Sequence, residues 1–466
     1  MKRLLCMLCF AVAAWGALPA GAQWEVRTTG SDLNGGFFNT AGGSGTDYSQ
    51  QNAAQLSVTD GVTATTTLSS VTGGFTSVMI HNGVQISGGS CAAGFYEITG
   101  FTSSNSVTID RTGGTGTGCT VKVGGGLLTI GAALSHVVWL GGVTHNGVWI
   151  KSGTYTITST LTTPAGAYNI TGYQTTHGDN GTKPLITTAT NSTTLITNDN
   201  SGRPLLQNLL LSNTAATRSF GIDTPGGFFL VATNVIFDGF SNAIRMASNG
   251  TEANPFYGSS LEIKNSTLAG VLLSTSTART FFCSGCYIHN NTGAGISDAG
   301  GSSLTVVLVN SVLSNNGASG VSVVSGSDVV MAESCDFVSN TGSGILGAGA
   351  VVQSFNSAFY GNSTYGISQT APNLPSAGFG LSNAYGANGT AATLNFPAGT
   401  GDITLTANPF TSSTNFALNN TAGGGAALKG AGFPGALIGG TTTGYPDVGA
   451  VQSAGGGGQV GYSFVQ

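Results

Sequence analysis

Between residues 288 and 367 one pattern occurs four times, as IHNNTGAGI (288–296), LSNNGASGV (313–321), FVSNTGSGI (337–345) and FYGNSTYGI (359–367). Each copy has an apolar residue, Asn three places on, and Gly followed by an apolar residue at places seven and eight. The copies are Ile288/Asn291/Gly295/Ile296, Leu313/Asn316/Gly320/Val321, Phe337/Asn340/Gly344/Ile345 and Phe359/Asn362/Gly366/Ile367, with starts 25, 24 and 22 residues apart. A fixed period in the twenties belongs to a solenoid, whose units bury an apolar face only by stacking on copies of themselves. The direct reading is a rung of three short strands joined by turns, with Leu, Ile and Phe stacked inward about 4.8 Å apart. The repeated Asn sits in a turn, its carboxamide bonding to backbone there and to the Asn of the next rung. The Gly marks a position of positive φ or close backbone approach.

Looser copies precede these four: Leu210/Asn213 with Gly221/Ile222, Phe237 with Ile244 and a displaced Asn242, and a copy around Leu268 that lacks the Asn. The expected Asn ladder is therefore Asn213, Asn291, Asn316, Asn340 and Asn362. Two residues before each stacked position stand Val235, Ser266, Cys286, Ser311, Cys335 and Ser357, which period-2 alternation turns inward as a column of small residues. The outward position just after it holds Asp238, Ala269, His289, Ser314, Val338 and Tyr360.

Residues 23–125 carry short alternating runs with Gly-rich turns, at Ser77–Ile80, Gly94–Ile98, Ser106–Asp110 and Thr120–Val123, and read as an antiparallel β module. Cys91 and Cys119 flank two of these runs and are expected to form a disulfide in an exported protein. Residues 126–137 place Leu127, Ile130, Ala133, Leu134 and Val137 at helical spacing, which predicts a helix capping the first rung. The coil is expected over 126–371, a closing segment over the last rung at 372–453, and a flexible Gly-rich tail at 454–466. The N-terminus reads Met1-Lys2-Arg3, an apolar run from Leu4 to about Leu18, then Ala20-Gly21-Ala22, which predicts a secretory signal over 1–22. The expected address is secreted, periplasmic or cell-surface, with no membrane span after cleavage.

Without Lys2 and Arg3 the chain has 11 basic and 18 acidic residues, a formal charge of −7, which argues against a nucleic-acid partner. Charged residues make up 7% of the chain, so Ser, Thr and Asn must solvate its surface, and these suit β-surfaces and turns. The composition is that of a folded, mostly-β exported protein.

The Asn/Gly repeats, the helix candidate 126–137 and the Gly-x-Tyr-x-Ile segment Gly153–Ile157 resemble the right-handed parallel β-helix family of pectate lyases, polygalacturonases and phage tailspikes. The resemblance covers residues 126–371, and the runs after 371 resemble the closing segment of bacterial exported members. It implies an all-β, right-handed parallel β-helix solenoid and a polysaccharide or cell-surface glycan as partner. The family's cleavage motifs are missing: the chain has no Asp-Asp pair, no Gly-His-Gly and no Arg-Ile-Lys, and Arg203-Pro204 lacks the second Arg of the Arg-x-Pro-x-x-Arg motif. His177-Gly178-Asp179 reads as turn residues.

Asp238 and His289 share the outward column two rungs, about 10 Å, apart, and could straddle a sugar ring but not hydrogen-bond to each other. Arg245 and Arg279 lie on neighbouring rungs and could bind a carboxylate. Asp238, Arg279 and His289 are the candidate catalytic residues, each weighed against ordinary solvated side chains. The other coil acids, Glu262, Asp298, Asp328, Glu333 and Asp336, read as scattered over the rungs. Cys283 and Cys286 lack two further zinc ligands and a helix N-terminus, which leaves a local disulfide or two buried thiols, with Cys335 left over. Gly42–Asp47 matches only the start of a calcium nonapeptide, so no cofactor and no metal is expected. The reading that follows is a non-catalytic carbohydrate- or surface-interacting protein. The alternative is a divergent polysaccharide lyase or glycoside hydrolase acting on an acidic polysaccharide.

Overall fold

The computed structural model describes residues 21–452 apart from residues 138, 141–142, 145–146, 199–201, 226–228, 248–254, 275–278, 301–302, 371–377 and 434–445. All but the last two residues of the expected signal, and the whole Gly-rich tail, lie outside the described residues. The chain divides into two compact units, Met1–Trp149 with Gly166–Asn169, and Ile150–Ala165 with Ile170–Gln466.

In the first unit six antiparallel strands close into a barrel, in the order Leu56–Ala64, Thr67–Ser69, Ser106–Ile109, Gly94–Ser103, Gly83–Ser87 and Thr115–Val123. Closure removes the free edges that such short strands would otherwise expose. Leu68, Val84, Ile86, Ile98, Val107 and Val121 fill its interior. Ser77–Met79, read as strand from its alternation, is a 3₁₀ turn that drops Met79 into the same core. Four residues of alternation do not separate a strand from a turn with one buried side chain. The helix spans Ile130–His136, with Thr129 capping it through the Ala132 N–H and Ile130, Ala133 and Leu134 buried. Within this unit Asp32 accepts the Leu128 and Thr129 N–H groups and Leu127 pairs with Val26, so the segment's start is bridged backbone rather than helix.

Cys91 and Cys119 are bridged, with Cα atoms 6.1 Å apart and a sequence separation of 28. A link across a loop of that length stabilises by roughly 3–4 kcal/mol in the chain-entropy model. Peptide mapping without reductant should recover the two as one linked pair, and Cys91→Ser with Cys119→Ser should lower the barrel's stability by that amount. Recovery of both as free thiols would remove the idea.

The second unit is the coil. Parallel pairing runs continuously from Thr154–Thr156 to Ile403–Thr404, in one sheet of paired long and short strands and a second sheet facing it. The inward stack reads Ile186, Leu211, Phe237, Ile263, Ile288, Leu313, Phe337, Phe359 and Tyr385. Two members differ from the expected ones. Leu211, not Leu210, stacks on Phe237, and Ile263, not Leu268, stands between Phe237 and Ile288, leaving Leu268 57% exposed. Ser266 thereby moves from the small inward column to the Asn position, and Leu261 takes its place. Lys264, not Ala269, is the outward neighbour.

The corners of the sheet are set by residues in the left-handed region, such as Gly285 and Asn290, Asn310 and Asn315, and Ser334 and Ser339. Members of each pair are five residues apart, which leaves a three-residue strand between corners. Asn, Ser and Gly suit these corners because small polar side chains tolerate positive φ. The repeated Gly serves the other purpose, close approach: a Cβ on Gly295, Gly320, Gly344 or Gly366 would stand 2.6–2.7 Å from a carbonyl oxygen of the next rung.

The coil continues past residue 371, where the repeat reading ended it. Phe379–Leu381, Ala384–Gly386 and Ala391–Leu394 form one more rung, with Tyr385 stacked on Phe359 at 5.3 Å. Phe396 packs against Gly378 and Gly380 of that rung. Beyond Leu405 the chain does not stay over the last rung. Leu405, Phe410, Phe416, Leu418, Leu428 and Val448 pack on the outward side of the short strands, against Val312, Val338, Ala358 and Ala384. Asp336, which precedes the inward Phe337 and so points outward by period-2 alternation, is 0% exposed beneath them.

Candidate functional site

Each short strand turns its middle residue inward and its two flanking residues outward, so the outer face carries two columns. One runs Ile236, Glu262, Tyr287, Val312, and the other Asp238, Lys264, His289, Ser314. From Val312 onward the C-terminal segment covers this face, and Phe416 ends edge-on to Tyr287 at 5.7 Å. The row from Asp238 to His289 is the charged stretch just before that cover.

Asp238 and His289 stand two rungs apart, with Lys264 between them. Lys264 Nζ donates to Glu262 Oε1 at 2.8 Å, and His289 Nε2 meets the same oxygen at 3.2 Å. Tyr287 stacks on the His289 ring at 3.8 Å, and Asn265 donates to Asp238 Oδ1 at 2.8 Å. Burial alone would raise the Glu262 pKa. The hydrogen bonds from His289 and Lys264, with their charges, outweigh it and hold the carboxyl below its ordinary value. Burial lowers the Lys183 ammonium and Glu262 opposes that shift, so Lys183 belongs to the same electrostatic group.

The repeat spacing does not place Glu262, read as a scattered acid, or Lys264 on this face, because the copy centred on Leu268 is five residues out of phase with Ile263. Ile263, Ser266, Gly270 and Val271 fit the repeat's spacing with Ser in place of Asn. Accepting Ser there would have put both residues on the outer face beside Asp238 and His289.

Arg279 does not join this row. It opens the strand Arg279–Ser284 on its inward side, where Phe281 and Cys283 are also buried, and is 3% exposed. Among the described residues none of its guanidinium nitrogens has a hydrogen-bond partner, and burial lowers its pKa. Arg245 lies on the facing sheet, where Nε and Nη2 engage the two oxygens of Asp223 and the guanidinium sits 3.9 Å above the Phe220 ring. The two arginines share no column.

Of the remaining coil acids, Asp328 and Asp298 are neighbours. Asp328 accepts the Leu304 and Ser325 N–H groups, and burial, with Asp298 beside it, pushes its carboxyl up to about 6. Burial pushes Glu333 up to about 7. Among the described residues no group of three or more His, Cys, Asp or Glu could hold a metal ion. In the Gly42–Asp47 stretch, Asp47 turns its carboxylate to Ser49 and Gln50. Asp179 of the His177–Asp179 turn accepts the Gln174, Thr175 and Thr176 N–H groups, which hold it at about 2.

The Asn run is Asn291, Asn316, Asn340, Asn362 and Asn388, each Nδ2 donating to the next Oδ1 at 2.9–3.0 Å. Asn213 stands outside it, its Oδ1 accepting the Ala215 N–H. Cys283 and Cys286 are bridged across the Gly285 corner, and Cys335 is free and buried. Among the described residues no helix is long and apolar enough to cross a membrane.

Residues 230–373 match the family described as the right handed beta helix region. No curated protein matches the chain in sequence. Among solved structures it is similar to pectate lyase Pel9A, at 15% identity over 71% of this chain and 92% of that one, with a TM-score of 0.47. The periplasmic alginate epimerase AlgG aligns at 11% identity over 61% and 84% of the two chains, with a TM-score of 0.31. The catalytic unit of the α-1,3-glucanase from Streptomyces thermodiastaticus aligns at 11% over 75% and 87%, with a TM-score of 0.29.

Proposed function

Since the coil is a right-handed parallel β-helix, we propose that the protein is an exported carbohydrate-interacting scaffold. It engages a polysaccharide or cell-surface glycan on the row Asp238–Lys264–His289 with Glu262, and does not cleave it. The observation that carries this reading is the commitment of Glu262. A carboxylate held ionised by Lys264 and His289 is a poor proton donor, and Asp238 is already bonded to Asn265. Glycoside cleavage by paired carboxyls needs one of them protonated against a free partner, and this row assembles no such pair. What it offers is a fixed set of charged and amide groups beside an aromatic edge, which suits recognition of sugar hydroxyls and carboxylates. The two disulfides and the N-terminal leader pattern support export.

One observation favours the second reading, a divergent lyase or hydrolase acting on an acidic polysaccharide: two carboxylates, a lysine and a histidine share one outward face. The discriminating experiment is a glycan array on protein lacking residues 1–22, followed by an absorbance assay for unsaturated product on every acidic glycan that binds. We expect no unsaturated product from pectate, alginate or similar polyuronates, with or without calcium. Lys264→Ala should weaken binding of an acidic glycan about tenfold, as loss of a charge-assisted hydrogen bond does, and His289→Ala only a few-fold. A calcium-dependent rise in ultraviolet absorbance that Glu262→Gln or Asp238→Asn abolishes would establish the enzyme instead.

A further inference from the structure

Beneath the C-terminal segment lies a carboxyl group that no described residue neutralises. Asp336 follows Val312 and precedes Ala358 in the outward column, and the side chain is completely buried. Its surroundings are apolar, with Val312, Val338 and Ala358 on the coil and Leu405, Leu428 and Val448 on the segment. Gly449 presses directly on it: a Cβ there would stand 2.6 Å from Oδ1. Among the described residues neither carboxyl oxygen has a partner in full bonding geometry, and the Ala450 N–H that points toward them only partly offsets the burial.

No described cation faces the group. Just before it in the chain Cys335 is buried and free, and Glu333 on the preceding strand carries no compensating charge. In the segment, Asp447 accepts the Gly430 N–H, Lys429 donates to Asn420, and Asp402 accepts the Gly399 and Asn383 N–H groups. An isolated carboxylate is too costly to bury in such a place, so the docked form holds the neutral acid. Burial accordingly raises the Asp336 pKa well above its ordinary value.

We propose that the C-terminal segment, held through Leu405–Leu428 and Val448–Ala450, is a proton-dependent latch on the outer face of the coil, docked while Asp336 carries a proton and released as that proton is lost. The docked state binds a proton that the released state gives up above the ordinary carboxyl range. Docking is therefore strongest in acid and weakens as pH rises, tenfold per pH unit, from about pH 4 up to the docked pKa. Release would also withdraw Phe416 from Tyr287, which stacks on His289, and so lengthen the open face beside Glu262.

The test is limited proteolysis of the segment between pH 5 and pH 8, on the full chain and on Asp336→Asn with the same protease. The neutral variant cancels the protease's own pH response, and Asp336→Ser replaces it as reference should the amide fail to fold. The ratio of wild-type to variant cleavage should rise about tenfold per pH unit until the docked pKa is passed. In wild type alone, exchange protection of the Gly449 N–H, which donates to Asn356 O at 2.7 Å, should fall by the same factor relative to N–H groups inside the coil. A flat ratio, or protection of Gly449 that tracks the coil at every pH, would overturn the latch.

Discussion

Phe337→Ala should lower the free energy of unfolding by roughly 3–5 kcal/mol, the range for a buried aromatic cut back to a methyl. Phe337 is fully buried in the middle of the inward stack, with Phe359 parallel to it at 4.9 Å and an interplanar angle of 2°. The cost belongs at the upper end because the surroundings cannot close the cavity. Leu313 and Phe359 are held one rung above and one below by backbone hydrogen bonds, so neither can slide inward without breaking its own ladder. The glycines beside the ring are already in contact: Cβ atoms on Gly320 and Gly344 would lie 2.9–3.0 Å from Phe337 atoms. Ser322, on the outward side of the facing sheet, gives the contrast. Ser322→Ala should change stability by no more than about 0.5 kcal/mol. A denaturant titration measures both, and equal losses would show that the inward register is wrong.

The same register decides how much of the molecule could be read from residues alone. Where a copy kept its Asn and Gly, as at Phe337 or Ile288, the spacing identified the inward residue, and with it the outward His289. Where the Asn became Ser266, the nearest apolar residue at the wrong phase was Leu268, and a five-residue slip hid Glu262 and Lys264. Leu210 was a one-residue slip of the same kind, because a run of three leucines carries no period-2 signal. Arg279 was misplaced for a different reason: its strand alternates, but its parity is fixed by Phe281 and Cys283 facing the interior, not by the Asn repeat. Asp336 shows the limit of local reading. Its outward direction followed from the pattern, yet its burial depends on a segment more than 60 residues further along, whose apolar residues follow no repeat. Positions set by the rung period were legible, and those set by what later covers the rung were not.

The second large effect is expected at Asn340. Asn340→Ala should cost about 2–6 kcal/mol, because it leaves buried groups without partners instead of removing a contact cleanly. Asn340 Oδ1 accepts both the backbone N–H of Asn316 and its Nδ2, and Asn340 Nδ2 donates to Leu313 O at 3.0 Å. All of these sit where Asn340 and Asn316 are 0% exposed. Alanine strands the Asn316 N–H and one hydrogen of Asn316 Nδ2, both of which Asn340 Oδ1 accepts, each worth about 1–3 kcal/mol away from water, while the Leu313 carbonyl keeps its ladder bond. Asn213 is the control for the idea that the run, and not Asn itself, carries the effect. It lies outside the chain of amides and its Oδ1 reaches only the Ala215 N–H, so Asn213→Ala should cost about 1 kcal/mol, one lost hydrogen bond. If equilibrium unfolding gave the two variants the same loss, the inter-rung amide chain would not be holding the turns in register, and the stacked interior alone would account for the coil.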